Sequence, residues 1–168
     1  MNITKYSICT TVNDPFSSFL YHFTRTALKK LDDRLENIFV LNNGDISYDY
    51  DHFTNPKIKF TIGERVINTH KIWDSGWQKN IESKTEFVSY LSDSYKNPIF
   101  LVDADSIFLD EFIDGIDTES DVAVCQRSES SFIASFTGFI NHNKLQSFID
   151  IWKQEMDTMS TIPRESPA

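Results

Sequence analysis

Short apolar runs alternate along this chain with segments in which apolar residues recur every three or four positions. The runs are four to nine residues long and rich in β-branched and aromatic side chains, which is typical of buried strands. Strands are predicted at residues 5–12, 37–41, 57–62, 99–102, 121–126 and 132–140.

The segments with helical spacing predict three helices. Asp14 is expected to cap the first, with Pro15 as its first helical residue. The second is expected to begin at Ser83, because Ser83-Lys84-Thr85-Glu86 fits a capping box, and to end near Tyr95. The third is an amphipathic helix over about residues 145–156.

The order of these elements indicates the fold class. As far as residue 102 the order is strand–helix–strand–loop–strand–helix–strand, and this alternation predicts a three-layer α/β/α fold with a mainly parallel central sheet. Right-handed crossovers would bring the ends of the strands at 5–12, 37–41 and 99–102 to one edge of the sheet. A chain of 168 residues is expected to form one domain.

The composition is that of an ordinary globular protein, with 40% hydrophobic and 24% charged residues. The formal net charge is −9, which argues against nucleic acid and against anionic membranes as partners, because both attract basic surfaces. An acidic protein that binds a diphosphate also needs a cation to offset the repulsion.

The two cysteines, Cys9 and Cys125, both lie inside predicted strands and are expected to be buried and reduced. No Cys/His zinc pattern is present in the sequence. Neither a signal-peptide pattern nor an apolar run of membrane-spanning length is seen, so we expect a cytoplasmic protein without an integral membrane segment.

The strand at 99–102 is followed directly by Asp103-Ala104-Asp105. In an extended chain the two carboxylates would point the same way and repel unless a positive charge lies between them. The simplest such charge is a hard divalent cation, Mn²⁺ or Mg²⁺, which prefers oxygen ligands. The alternative is structural, since either Asp could serve a turn or cap a helix.

Five stretches together give the chain a family resemblance: residues 9–13, 42–43, 100–108, 121–124 and 136–140. They resemble the GT-A glycosyltransferases, the nucleotide-diphospho-sugar transferases with a Rossmann-like fold. Phe100-Leu101-Val102-Asp103-Ala104-Asp105-Ser106-Ile107-Phe108 looks like the DxD motif of that family with its hydrophobic flanks.

The resemblance implies that Mn²⁺ or Mg²⁺ bridges Asp105, together with Asp103, to the diphosphate of a UDP- or GDP-sugar. It also implies that the ends of the first two strands flank the base and the ribose. The nucleotide-sugar-binding positions implied in this way are Thr10, Thr11, Val12, Asn42, Asn43, Asp103, Ala104 and Asp105.

Lys71 lies in a less regular segment that is expected near the same edge, where its ammonium could pair with phosphate. The alternative is a solvated surface lysine.

The resemblance also divides the domain. Residues 1–105 would form the nucleotide-sugar-binding part, residues 106–160 the start of the acceptor side, and residues 161–168 a tail. Family members usually continue beyond the last helix with groups that complete the site. The sequence does not assign a catalytic base, for which Glu129 and Asp74 are the candidates.

The function predicted on this basis is metal-dependent transfer of a sugar from a nucleotide-diphosphate sugar to a carbohydrate or another hydroxyl acceptor. One alternative is a module that binds nucleotide sugars without turning them over. Another is a haloacid-dehalogenase-type phosphohydrolase with Asp103 as nucleophile. Against the latter, that family's Asp-x-Asp motif normally opens the domain, whereas here it lies past the middle of the chain.

Overall fold

The computed structural model describes residues 3–44, 51–65, 75–128 and 131–160. The strands are β1 (Tyr6–Val12), β2 (Leu35–Asn42), β3 (Ile58–Ile62), β4 (Ile99–Val102), β5 (Val122–Ser128) and β6 (Ser131–Phe139). The helices are α1 (Ser17–Lys30), α2 (Ser75–Ser94) and α3 (Leu145–Ser160). Short 3₁₀ turns lie at Asp14–Phe16, Asp51–Thr54, Ile113–Gly115 and His142–Lys144.

The six strands form one sheet in the order β3-β2-β1-β4-β6-β5. The first four run parallel to one another, whereas β6 is antiparallel to both β4 and β5. In register, Val12 lies opposite Asn42 and Asn42 lies opposite Ile62. The mainly parallel sheet is confirmed, and the carboxyl ends of its parallel strands meet at one edge.

Helices cover both faces of this sheet. Leu20 and Phe23 of α1 are buried in one core cluster. Phe87 and Leu91 of α2 pack with Ile149 of α3 in a second cluster on the opposite face. Successive residues of a strand alternate between faces, so the apolar strands supply both clusters. The predicted three-layer α/β/α architecture is confirmed.

The start of α2 differs from the prediction. The helix begins at Ser75, and Ser83 lies inside it rather than at its cap. The Ser83 hydroxyl donates to the carbonyl of Asn80 at 2.9 Å, a local bond that serine also makes in helix interiors. The capping-box pattern was therefore misleading, because the same residue types occur together within a helix.

The entry into α1 is also different in detail. A 3₁₀ turn covers Asp14–Phe16, and α1 proper follows from Ser17. Asn13 occupies the cap position, and the backbone N–H of Phe16 donates to its carbonyl at 2.9 Å. Asp14 thus belongs to the first turn, where its charge still favours the helix N-terminus.

The two cysteines have different surroundings. Cys9 lies on the inner strand β1 and is fully buried, and burial raises the pKa of its thiol. Cys125 is exposed, contrary to the prediction, because β5 is the outermost strand of the sheet. A strand-like sequence does not by itself distinguish an inner strand from an edge strand.

Candidate functional site

The loops that leave β1, β2 and β3 are fastened to one another at the carboxyl edge of the sheet. The backbone N–H of Asn43 donates to the carbonyl of Val12 at 2.8 Å, and that of Gly63 donates to the carbonyl of Asn42 at 2.9 Å. Open α/β sheets bind their ligands at this edge.

Two glycines allow these loops to pack closely. A Cβ at Gly44 would lie 2.5 Å from Oδ1 of Asp14, and a Cβ at Gly63 would overlap Oδ1 of Asn43. Arg65, beyond β3, also reaches Oδ2 of Asp14 at 3.1 Å. The edge is therefore compact and has no room for side chains at the two glycine positions.

Several buried polar groups at this edge have no hydrogen-bond partner. Thr10 is fully buried and Asn13 is 1% exposed. The unpartnered atoms are Oγ1 of Thr10, Oγ1 of Thr11, both amide atoms of Asn13 and Oδ1 of Asn43. Buried polar atoms are normally paired, and leaving one unpaired costs about 1–3 kcal/mol, so these atoms are candidate contacts for a ligand at this edge.

Asn13 is a candidate site residue that sequence reasoning missed. Thr10, Thr11 and Asn43 were predicted, whereas Asn13 was quoted only as the end of the β1 stretch. Its position immediately after a buried parallel strand was the available signal.

Asn42 and Val12 have mainly structural contacts. Oδ1 of Asn42 accepts from the backbone N–H of Gly44 at 2.9 Å and so holds the turn that follows β2. Val12 is 1% exposed and packs in the core cluster on the α1 face. Both lie at the predicted edge.

Asp103 and Asp105 lie on a turn that follows β4. The backbone N–H of Ser106 donates to the carbonyl of Asp103 at 3.0 Å, and the N–H of Asp103 donates to that of Ser135 at the same distance. The chain therefore forms a turn between the two aspartates, so the premise of an extended chain, from which their common direction was argued, was wrong. Asp103 is half-buried, Asp105 is exposed, and Ala104 between them is buried.

Asp103 already has a cationic partner within the protein. Nζ of Lys84 on α2 lies 2.5 Å from Oδ1 of Asp103, and the lysine side chain is only 14% exposed. The Lys84 ammonium thus supplies, for Asp103, a positive charge of the kind that the sequence argument expected from a metal ion. Sequence reasoning assigned Lys84 only to a helix cap, because nothing local indicates that it reaches a residue nineteen positions later.

The Asp103–Asp105 turn can still contribute oxygen ligands to a metal ion. No described residue pairs with the exposed Asp105 carboxylate. Lys84 contacts Oδ1 of Asp103, so Oδ2 of Asp103 remains as a possible metal ligand. No group of three Asp, Glu, His or Cys side chains suited to a metal exists among the described residues. Two carboxylates nevertheless fit Mg²⁺ or Mn²⁺, because Mg²⁺ is usually bound by one or two carboxylates together with waters and substrate phosphates.

Neither the protein-family models nor the curated protein sequences give a match to this chain. Several solved structures match this chain in fold. The galactosyltransferase LgtC, solved with donor and acceptor sugar analogues, superposes with a TM-score of 0.69 at 13% identity over 95% of this chain. The apo form of the glycosyltransferase GlyE from Streptococcus pneumoniae TIGR4 superposes with a TM-score of 0.61 at 16% identity over 98% of this chain. The bifunctional glycosyltransferase WbbM superposes with a TM-score of 0.61 at 10% identity over 94% of this chain.

The chain has a GT-A glycosyltransferase fold. It spans 66% of the LgtC chain, 41% of GlyE and 35% of WbbM, so it matches only part of each of these proteins. No helix among the described residues is long and apolar enough to cross a membrane.

Three predicted site residues of this GT-A fold lie outside the described residues. They are Lys71, Asp74 and Glu129. Of the other predicted site residues, the structure brings Thr10, Thr11, Asn43 and the Asp103–Asp105 turn to one sheet edge. Asn13 and Lys84, which were not predicted as site residues, lie at the same edge.

Proposed function

We propose that this chain is the nucleotide-sugar-binding part of a metal-dependent glycosyltransferase, with a UDP- or GDP-sugar as donor and a hydroxyl of a carbohydrate or another molecule as acceptor. One observation carries the proposal. At the ligand-binding edge of a GT-A fold, a turn with two carboxylates follows β4 and unpartnered polar groups lie at the end of β1.

The end of β1 suits a nucleoside. A threonine hydroxyl and an asparagine amide can each donate and accept, as the edges of a base and a ribose require. Thr11 and Asn13, two positions apart at the end of β1, offer these groups without an existing bond that would have to be broken, whereas Thr10 faces the other side of the sheet. Because the atoms are also shielded from solvent, side chains at the edge must shift before a ligand reaches them.

The turn after β4 suits the diphosphate. Asp105 and Asp103 would hold Mn²⁺ or Mg²⁺, and the bound ion would act as a Lewis acid that stabilises the leaving diphosphate. Lys84 fixes the Asp103 carboxylate through its 2.5 Å contact and places a protein cation at the same end of the site. Lys84 is held within α2 and Asp103 follows β4 directly, which favours a preorganised charge arrangement.

The same assignment gives the two parts of the chain different ligands. Residues 1–105 would bind the donor and residues 106–160 would begin the acceptor side. For an inverting reaction, Asp74 and Glu129 are the candidates for the catalytic base.

The test is calorimetric titration of UDP and GDP into the protein, with and without Mn²⁺. We expect binding of one nucleotide that requires the metal and is lost in Asp105→Asn. Asp33→Asn is the matched control, because Asp33 is also exposed but lies before β2, at the opposite end of the sheet. Metal-independent binding, or binding that Asp105→Asn leaves intact, would contradict the metal assignment.

Release of UDP or GDP from the matching nucleotide sugar then separates an enzyme from a module that binds without turnover. If neither nucleotide binds to the folded protein, phosphate release from a phosphomonoester tests the hydrolase alternative with Asp103 as nucleophile.

A further inference from the structure

A cavity of about 410 Å³ lies between α2 and the ends of β2 and β3. Leu41 and Phe87 form its apolar floor and are 8% and 3% exposed. Tyr90 lies at its rim with 58% of its surface exposed. The volume lies within the usual range for small-molecule sites. We call this feature the α2 cavity.

The wall of the α2 cavity is strongly acidic. It contains Glu64, Glu82 and Glu86, against one cation, Lys79, whose Nζ lies 3.8 Å from Oε1 of Glu64. Glu82 and Glu86 are both exposed and four positions apart on one helix face, where like charges repel. Neither carboxylate has an ion-pair partner among the described residues.

A buried amide on the same wall gives an independent indication of a ligand. Asn43 is 1% exposed and lines the cavity, and its Nδ2 donates to Oγ of Ser83 at 2.8 Å. Its Oδ1, which lies against Gly63 of the cavity wall, has no partner. Buried carbonyl oxygens normally accept a hydrogen bond. The buried Oδ1 of Asn43 and the carboxylates of Glu82 and Glu86 are all acceptors, and they call for a ligand that donates.

We propose that the α2 cavity binds a small organic ammonium ion. Its positive charge would lie between the carboxylates of Glu82 and Glu86, within reach of the Tyr90 ring, which attracts cations through its face. Its hydrocarbon part would contact Leu41 and Phe87. A metal ion would use only the carboxylates and leave Leu41 and Phe87 without a contact, whereas an organic ammonium ion uses both parts of the cavity.

The test compares cyclohexylammonium with cyclohexanol, two probes of similar size that differ in charge. Amide NMR spectra are recorded during titration of each probe, without nucleotide or metal, so the result is independent of the proposed transferase function. We expect cyclohexylammonium to shift the Gly63 and Ser83 amide signals saturably, with a Kd on the order of 1 mM. Cyclohexanol should bind about tenfold more weakly, because it lacks the charge.

The double variant Glu82→Gln/Glu86→Gln should weaken cyclohexylammonium binding about tenfold, as expected for the loss of two exposed ion pairs. Glu155→Gln, an exposed glutamate on α3, is the control and should change nothing. Should the double variant unfold, Glu86→Gln alone serves instead, with a smaller loss. The proposal is overturned by unsaturable shifts, by equal binding of cyclohexanol, or by ammonium binding that survives removal of the carboxylates.

Discussion

Replacing Lys84 by Met should destabilise the fold by about 2 kcal/mol, because it leaves the Asp103 carboxylate half-buried without its cation. The methionine keeps the length of the aliphatic stem and removes only the ammonium. The Lys84 side chain is 14% exposed and that of Asp103 is 32% exposed. The pair is thus neither a free surface contact nor fully desolvated.

The magnitude follows from two opposing effects. At an effective dielectric constant of 20, charges 2.5 Å apart attract by about 6–7 kcal/mol. Desolvation of the lysine cancels most of this, and the partial exposure of Asp103 screens part of the rest. We therefore expect a net coupling of about 1.5 kcal/mol, typical of a hydrogen bond to a charged group.

A double-mutant cycle of Lys84→Met and Asp103→Asn, measured by urea unfolding, isolates that coupling. The control cycle is Lys144→Met with Asp121→Asn, an ion pair of 2.8 Å whose lysine side chain is 72% exposed. The control should give only about 0.2–1 kcal/mol. A coupling for Lys84 and Asp103 no larger than in the control would refute the reasoning, since burial would then add nothing.

Two further predictions concern packing and pH. Gly63→Ala should lower the free energy of unfolding in urea by about 1–3 kcal/mol, because the new Cβ would overlap Oδ1 of Asn43. Gly115→Ala is the control and should be neutral or slightly stabilising, since a Cβ there would have nothing within 4 Å. Equal effects of the two substitutions would show that the loops around Gly63 shift to accommodate the methyl group. Burial lowers the pKa values of His52 and His142, so their contribution to stability is complete above an unfolded-state pKa of about 6.5 and is lost as the pH falls below it. Melting temperatures from pH 7.5 to 5.5 should therefore fall, and fall less in His52→Gln; a flat profile in the unmodified protein would contradict this.

The layers of the fold were predictable because their signals are local. The run Ile99–Val102 is apolar at every position, as a strand covered on both faces must be, and the structure buries all four residues. The start of α2 was not predictable in the same way. A serine followed by a glutamate three positions later is compatible with both a cap and a helix interior, and only the preceding residues decide.

The position of the two aspartates was predictable, but the partner of Asp103 was not. A strand followed directly by two aspartates predicts that they lie at the carboxyl edge of the sheet, and the structure has them there. The contact of Lys84 with Asp103 depends on how α2 lies across the sheet, which no short sequence window records. The burial of the Asn13 amide without a partner likewise arises only in the folded chain, so no short sequence window records it.

The two ends of the proposed donor site differ in what a ligand would gain from them. Asp103 must share its carboxylate between Lys84 and any bound metal ion, so part of its charge is already neutralised in the free protein. Asp105 has no such partner among the described residues and would gain the full interaction with a cation. At the other end, Asn13 gains hydrogen bonds without losing any. Metal dependence should therefore rest mainly on Asp105, and nucleoside affinity on the end of β1.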